Sequence, residues 1–83
     1  MSPEERLNRA REEERLRREL QEAQEALQLA NRERESACQI EQALDAGNRD
    51  GLYAFEKAHG RYRAALEEYT SALRNLSDFL LKR

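Results

Sequence analysis

Residues 52–80 read LYAFEKAHGRYRAALEEYTSALRNLSDFL, and this stretch decides the fold. Its apolar and aromatic residues, with one histidine among them, recur at alternating intervals of three and four: Leu52, Phe55, His59, Tyr62, Leu66, Tyr69, Leu73, Leu76 and Leu80. Such spacing places side chains along one face of a long α-helix. Further apolar residues stand just before four of these positions, at Ala58, Ala65, Ala72 and Phe79. The apolar face is therefore three heptad positions wide, which is more than one partner helix can cover.

A second long helix is predicted before this stretch. Ser2, Pro3 and Glu5 form a capping box at its start, and neither glycine nor proline then appears until Gly47. Its apolar seam also follows intervals of three and four, with gaps at Arg34 and Glu41: Leu16, Leu20, Ala23, Leu27, Ala30, Ala37 and Leu44. The charged composition, rich in good helix formers, fits long helices and argues against a sheet.

The two helices are predicted to pack antiparallel, as an all-α helical hairpin of coiled-coil type. Gly47 suits the end of a helix, and so short a connection makes the helices neighbours. We expect helix 1 to run to about 46, a turn at 47–50, and helix 2 from about 50 to 82. Residues 1–15 are expected to be an exposed, charged helical extension of the hairpin, which spans 16–83.

This register predicts which residues face each other. It places the alanines of helix 1 opposite large side chains of helix 2, with Ala30 near Leu66 and Ala23 near Leu73. Leu16 then lies near Leu80. The remaining apolar stripe is expected to be buried by dimerisation into a four-helix bundle.

Residues 60–73, GRYRAALEEYTSAL, resemble the second half of a tetratricopeptide repeat, where G-x-Y-x-x-A-[IL]-x-x-Y-x-x-A-L marks a turn and the helix after it. The resemblance covers 14 of the 83 residues. It implies a turn at Gly60, between a short helix from Asp50 to Ala58 and another from Arg61. The preceding segment departs from the repeat, with Arg49 where a tryptophan is typical. The unbroken heptad pattern instead favours one continuous helix with Gly60 exposed.

Residues that could carry chemistry are few. The chain has one cysteine and one histidine, too few for a structural zinc site in one chain. The register sets Cys38 across from His59, a pairing that can make a reactive thiolate, but no oxyanion hole or phosphate-binding loop accompanies it. We predict no enzyme activity and no catalytic, cofactor-binding or metal site. His59 is expected instead to set the helix register, or to be held by Glu33 or Glu41.

Charge and hydropathy indicate which partners and which cellular compartment to expect. The net charge is −2, and acidic residues interleave with the arginines of the first helix, so we predict a solvated face rather than a nucleic-acid-binding one. The sequence shows no signal peptide and no apolar run long enough to cross a membrane, and it has a single cysteine. We expect a cytoplasmic protein that contacts neither membrane nor nucleic acid.

The function that these features predict is protein–protein interaction by a self-associating hairpin, a structural or adaptor role with a homodimer as the assembly. Docking of a partner helix or peptide is a further expectation. The alternative is a small helical chaperone or secretion accessory that shields a client's amphipathic helix, and nucleic-acid binding ranks third. The predicted interface residues come from both helices: Leu16, Leu20, Leu27, Phe55, His59, Tyr62, Leu66, Tyr69, Leu73, Leu76, Phe79 and Leu80.

Overall fold

The computed structural model describes residues 2–43 and 49–82, with side chains described for 2–40 and 52–82. Helix α1 spans Pro3–Ala43 and helix α2 spans Arg49–Leu81. The two pack against each other along their length in a rod of 66 × 15 × 13 Å. The prediction of an all-α antiparallel hairpin is confirmed. The predicted end of helix 1 at 46 and the glycine at 47 lie outside the described residues, while positions 49 and 50 of the predicted turn are helical.

The start of α1 is capped by Ser2. Its hydroxyl oxygen Oγ accepts a hydrogen bond from the backbone N–H of Glu5 at 3.2 Å, and its carbonyl accepts one from Arg6 N–H at 3.1 Å. Residues 2–8 are exposed, but the Arg9 guanidinium donates to the carbonyl oxygen of Lys82 at 3.4 Å. One hydrogen bond between the helices thus reaches into residues 1–15, which the sequence predicts to be an exposed, charged extension.

The core is a narrow seam between the helices. Its buried side chains are 6–9% exposed: Leu16, Ala30, Ala37, Ala58, Ala65, Ala72 and Leu76. Around them lie half-buried residues at the same heptad positions: Leu20, Ala23, Leu27, Phe55, Tyr62, Tyr69 and Phe79. The α1 seam is the predicted one. On α2 the buried row includes the alanines, which alternate with the aromatic residues at intervals of three and four.

Contacts across the seam fix the register. Leu16 lines the same surface cleft as Phe79, and Ala23 lines the same cleft as Ala72. Helical periodicity then sets Ala30 and Ala37 at the levels of alanines on α2. Layers in which alanine faces alanine therefore alternate with layers in which larger side chains meet.

The cation–π pair of Arg34 with Tyr62 agrees with the predicted register, while the burial of Ala65 and Ala72 shows that the alanine row of α2, rather than its leucine row, lies nearest α1. Ala23 lines the same cleft as Ala72, whereas Leu73 is 42% exposed. Alanine side chains are short, so rows of them allow packed helices to lie toward the lower end of the roughly 8–10 Å range of axis separations. The larger side chains then fill the space between the alanine layers.

Three leucines predicted at core positions of helix 2 lie outside the core of the single chain. Leu52 is 48% exposed, Leu66 40% and Leu73 42%. One neighbouring helix covers about two heptad rows, and α1 covers the row of alanines and the row of aromatic residues. The third apolar row is left at the edge of the contact.

Helix α2 passes through Gly60 without a break. The turn that the tetratricopeptide resemblance implied is therefore wrong, and the continuous heptad prediction is confirmed. Gly60 is exposed, and a Cβ atom built on it meets nothing within 4 Å.

Gly60→Ala is expected to stabilise the protein by up to about 1 kcal/mol, because alanine replaces glycine at an open position inside a helix. Thermal unfolding followed by circular dichroism at fixed protein concentration should show a midpoint about 4–8 °C higher. A lower midpoint would indicate that the chain needs a turn at this residue.

Candidate interaction surface

A row of four leucines and one histidine runs along α2 beside the seam. We call it the α2 stripe; its members stand seven residues apart: Leu52, His59, Leu66, Leu73 and Leu80. Leu52, Leu66 and Leu73 are exposed, whereas His59 and Leu80 are half-buried. The stripe thus borders the core and leaves a large part of its apolar surface open along most of the helix.

The opposite side of the hairpin is polar. There the carboxylate of Glu33 pairs with the guanidinium of Arg61 at 3.9 Å. Two shallow clefts on that side are lined by charged and amide side chains at their rims, among them Glu19, Glu68 and Lys82, and by seam residues such as Ala72 and Phe79. The hairpin therefore has one side suited to water and one side with an apolar row.

On the side of the stripe, the neighbouring row of α1 is mostly polar. It consists of Arg17, Gln24, Asn31 and Cys38. The Asn31 amide donates to Glu35 at 3.4 Å, and Asn31 Oδ1 accepts from Arg34 at 3.0 Å. Asn31 thus bonds within α1, as does Arg17 to Glu13, so the apolar surface on this side comes mainly from α2.

An aromatic stack occupies the hairpin near the middle of the stripe. The His59 ring stacks on Phe55, with centroids 5.9 Å apart, and on Tyr62, with centroids 6.4 Å apart. The Arg34 guanidinium lies over the Tyr62 ring, 4.0 Å from its centroid. This cation–π contact fills the gap in the α1 seam. Sequence reasoning missed it, although an arginine at a seam position and a tyrosine at the facing level are the signal that could have revealed it.

Among the described residues, the contacts of His59 are with aromatic rings. Its Nδ1 atom is covered by protein and makes no hydrogen bond with the described residues. Of its two predicted partners, Glu33 pairs with Arg61, and the side chain of Glu41 lies outside the described part of the chain. An imidazole stacked between two rings suits a packing role.

The described residues offer little that could hold a metal ion. Within them, no group of three or more histidine, cysteine, aspartate or glutamate side chains converges on one point. Cys38 is half-buried, and the register puts it near the level of His59. The geometry of the described side chains therefore supports packing and docking better than coordination chemistry.

Three arginines in the first half of α1, at positions 15, 17 and 18, are paired with acids one turn away. Arg15 bonds to Glu12, and to Glu19 at 2.7 Å; Arg17 reaches Glu13 at 3.4 Å. The hydrogen bond from Arg15, and then its charge, lower the pKa of Glu12, while the same contact raises the pKa of Arg15. Such pairing neutralises the arginines locally and favours the interpretation as a solvated face over that as a nucleic-acid site.

The predicted interface residues fall into two groups. Eight of them lie in the seam inside the single chain: Leu16, Leu20, Leu27, Phe55, Tyr62, Tyr69, Leu76 and Phe79. Four belong to the α2 stripe: His59, Leu66, Leu73 and Leu80. Leu52 joins the second group by position and exposure, so the hairpin separates the residues that hold it together from those available to another chain.

Neither helix, over its described residues, contains a segment long and apolar enough to cross a membrane. Comparison of the chain with protein-family models, with curated proteins and with solved structures finds no match. The functional argument therefore depends on the chain's own geometry.

The contact between Arg34 and Tyr62 should appear as a coupling in a double-mutant cycle of Arg34→Met and Tyr62→Leu. We expect about 0.5–1 kcal/mol of coupling in the free energy of urea unfolding, because each substitution alone removes the cation–π contact. The matched cycle of Arg32→Met, at an exposed position on α1, with Tyr62→Leu should show none. Equal coupling in the two cycles would contradict the contact.

Proposed function

We propose that this chain is a non-enzymatic protein–protein interaction module that associates with a second copy of itself through the α2 stripe, in a structural or adaptor role. The observation that carries the proposal is the exposure of Leu52, Leu66 and Leu73 in one row on one side of the hairpin. An exposed apolar row with polar surroundings is typical of a surface that binds another protein.

The thin core of the single chain supports the same proposal. Among the described residues, no side chain is fully buried, and five of the seven buried ones are alanines. The chain exposes 6719 Å², whereas a compact monomer of its 9.8 kDa mass is expected to expose about 5,200 Å². The hairpin thus exposes about 1,500 Å² more than a compact monomer would, which exceeds the roughly 800 Å² that each partner buries in a standard interface.

The energetics of the stripe favour association. Burying a whole leucine side chain contributes about 1.5–3 kcal/mol, so burying the exposed two-fifths of Leu66 or Leu73 contributes roughly 1 kcal/mol each. A symmetric dimer buries both leucines in each of its two copies. Leu66 and Leu73 together then supply about 4 kcal/mol, which corresponds to a factor of about a thousand in the dissociation constant.

Light scattering across a wide range of concentrations, down to low micromolar, tests the proposal. The wild-type chain is expected to show twice the 9.8 kDa mass of one copy. The dimer of the double variant Leu66→Gln, Leu73→Gln should have a dissociation constant on the order of a thousandfold higher than that of the wild type, because its stripe has lost two apolar contacts in each copy.

The matched control removes two exposed leucines elsewhere on the surface. Leu29, 58% exposed, and Leu81, 85% exposed, lie off the stripe, so Leu29→Gln, Leu81→Gln should keep the wild-type dissociation constant. A wild-type chain that stays monomeric at every concentration would refute self-association. That result would move the helical chaperone, which keeps its apolar stripe open for a client, ahead of the dimer.

A further inference from the structure

We infer that the two copies join α2 to α2, antiparallel, with the two-fold axis passing beside Leu66; this inference rests on the proposed self-association. In this arrangement Leu66 meets its own copy. Leu52 faces the partner's Leu80, and His59 faces the partner's Leu73. The contact is isologous, so the same stripe serves both sides of the interface.

The choice of α2 rather than α1 as the docking partner follows from the surface of α1. Beside the stripe, α1 carries polar side chains, and its exposed large apolar residues are Leu7, Leu29 and Ile40. These three are spaced by 22 and 11 residues, which separates them by about 33 Å and 16 Å along the helix. They form no continuous row that could cover the stripe, whereas the stripe of a second copy matches it in length and chemistry.

The direction of the pair follows from the charges on the outer flank of the stripe. That flank carries Glu56 and Arg63, both exposed, followed by Thr70 and Ser77. A parallel pair would set each charge against the same charge of the other copy. An antiparallel pair about Leu66 sets Glu56 close to the partner's Ser77 and Arg63 close to the partner's Thr70. Antiparallel packing also opposes the two helix dipoles, which is favourable.

The length of the stripe is sufficient for a stable contact. From Leu52 to Leu80 it extends about 42 Å at a rise of about 1.5 Å per residue. A helix with side chains is about 10–12 Å wide, so the face covered on each copy is on the order of 500 Å². The total of about 1,000 Å² reaches the threshold at which specific interfaces begin.

Single-cysteine variants in a Cys38→Ala background distinguish an antiparallel from a parallel α2–α2 pair. Under mild oxidation, Leu66→Cys is expected to form a covalent dimer at least tenfold faster than Leu52→Cys or Leu80→Cys, because only position 66 lies beside the axis. A mixture of Leu52→Cys and Leu80→Cys chains should cross-link with each other rather than with themselves. Equal self-cross-linking at all three positions would overturn the inference in favour of a parallel pair.

Spin labels on the polar flank give a second measurement that leaves every leucine in place. In an antiparallel pair, labels at Glu56→Cys should lie about 30 Å from their copies along the helix axis, and labels at Ser77→Cys about 33 Å. A parallel pair would bring both label pairs within roughly 20 Å. Circular dichroism confirms folding, and light scattering confirms the mass of each labelled chain.

These experiments separate failure of the inference from failure of the proposed function. A chain of dimer mass in which labels at Glu56→Cys and Ser77→Cys do not show these distances would overturn the α2–α2 arrangement and leave self-association standing. A wild-type chain of monomer mass would overturn both.

Discussion

The packing of α1 against α2 along rows of alanine is the constraint on which the rest of the structure depends. Ala30 and Ala37 on one helix and Ala58, Ala65 and Ala72 on the other are all buried. Their short side chains bring the backbones together, and the larger residues then meet only in the layers between them. Because the alanine row of α2 faces α1, the leucines of the α2 stripe lie beside the seam rather than inside it.

Layers of alanine let the two helices pack together but contribute little to the free energy of folding. Burial of an alanine removes little apolar area from water, and the folding of a chain this small is marginal when its core is thin. The aromatic stack around His59 and the Arg34 contact on Tyr62 add packing in the middle of the rod. In our account the stripe supplies the remaining stabilisation, so folding and association are linked.

The sequence predicts much of this architecture because its signals are local. The cap at Ser2, the α1 seam and the continuity of α2 through Gly60 follow from residue spacing alone. Which two of the three apolar rows on α2 would face α1 does not follow from spacing. The choice depends on how closely two backbones can approach, and that is a property of both helices together.

The candidate surface was predicted only in part for the same reason. The sequence identifies Leu66 and Leu73 as interface residues, but it does not separate them from Tyr62 and Tyr69, which the hairpin itself covers. In the sequence, Arg34 interrupts the apolar seam of α1. The structure shows that its guanidinium packs on the Tyr62 ring and so belongs to the contact between the helices. Both errors arise where a contact joins residues distant in the chain.

The most direct test of the link between folding and association is the thermal midpoint of the wild-type chain as a function of its concentration. For a dimer whose subunits fold as they associate, a hundredfold dilution should lower stability by about 2.7 kcal/mol and the midpoint by roughly 5–10 °C. A midpoint unchanged across that range would show that the hairpin is stable alone, and would contradict the account.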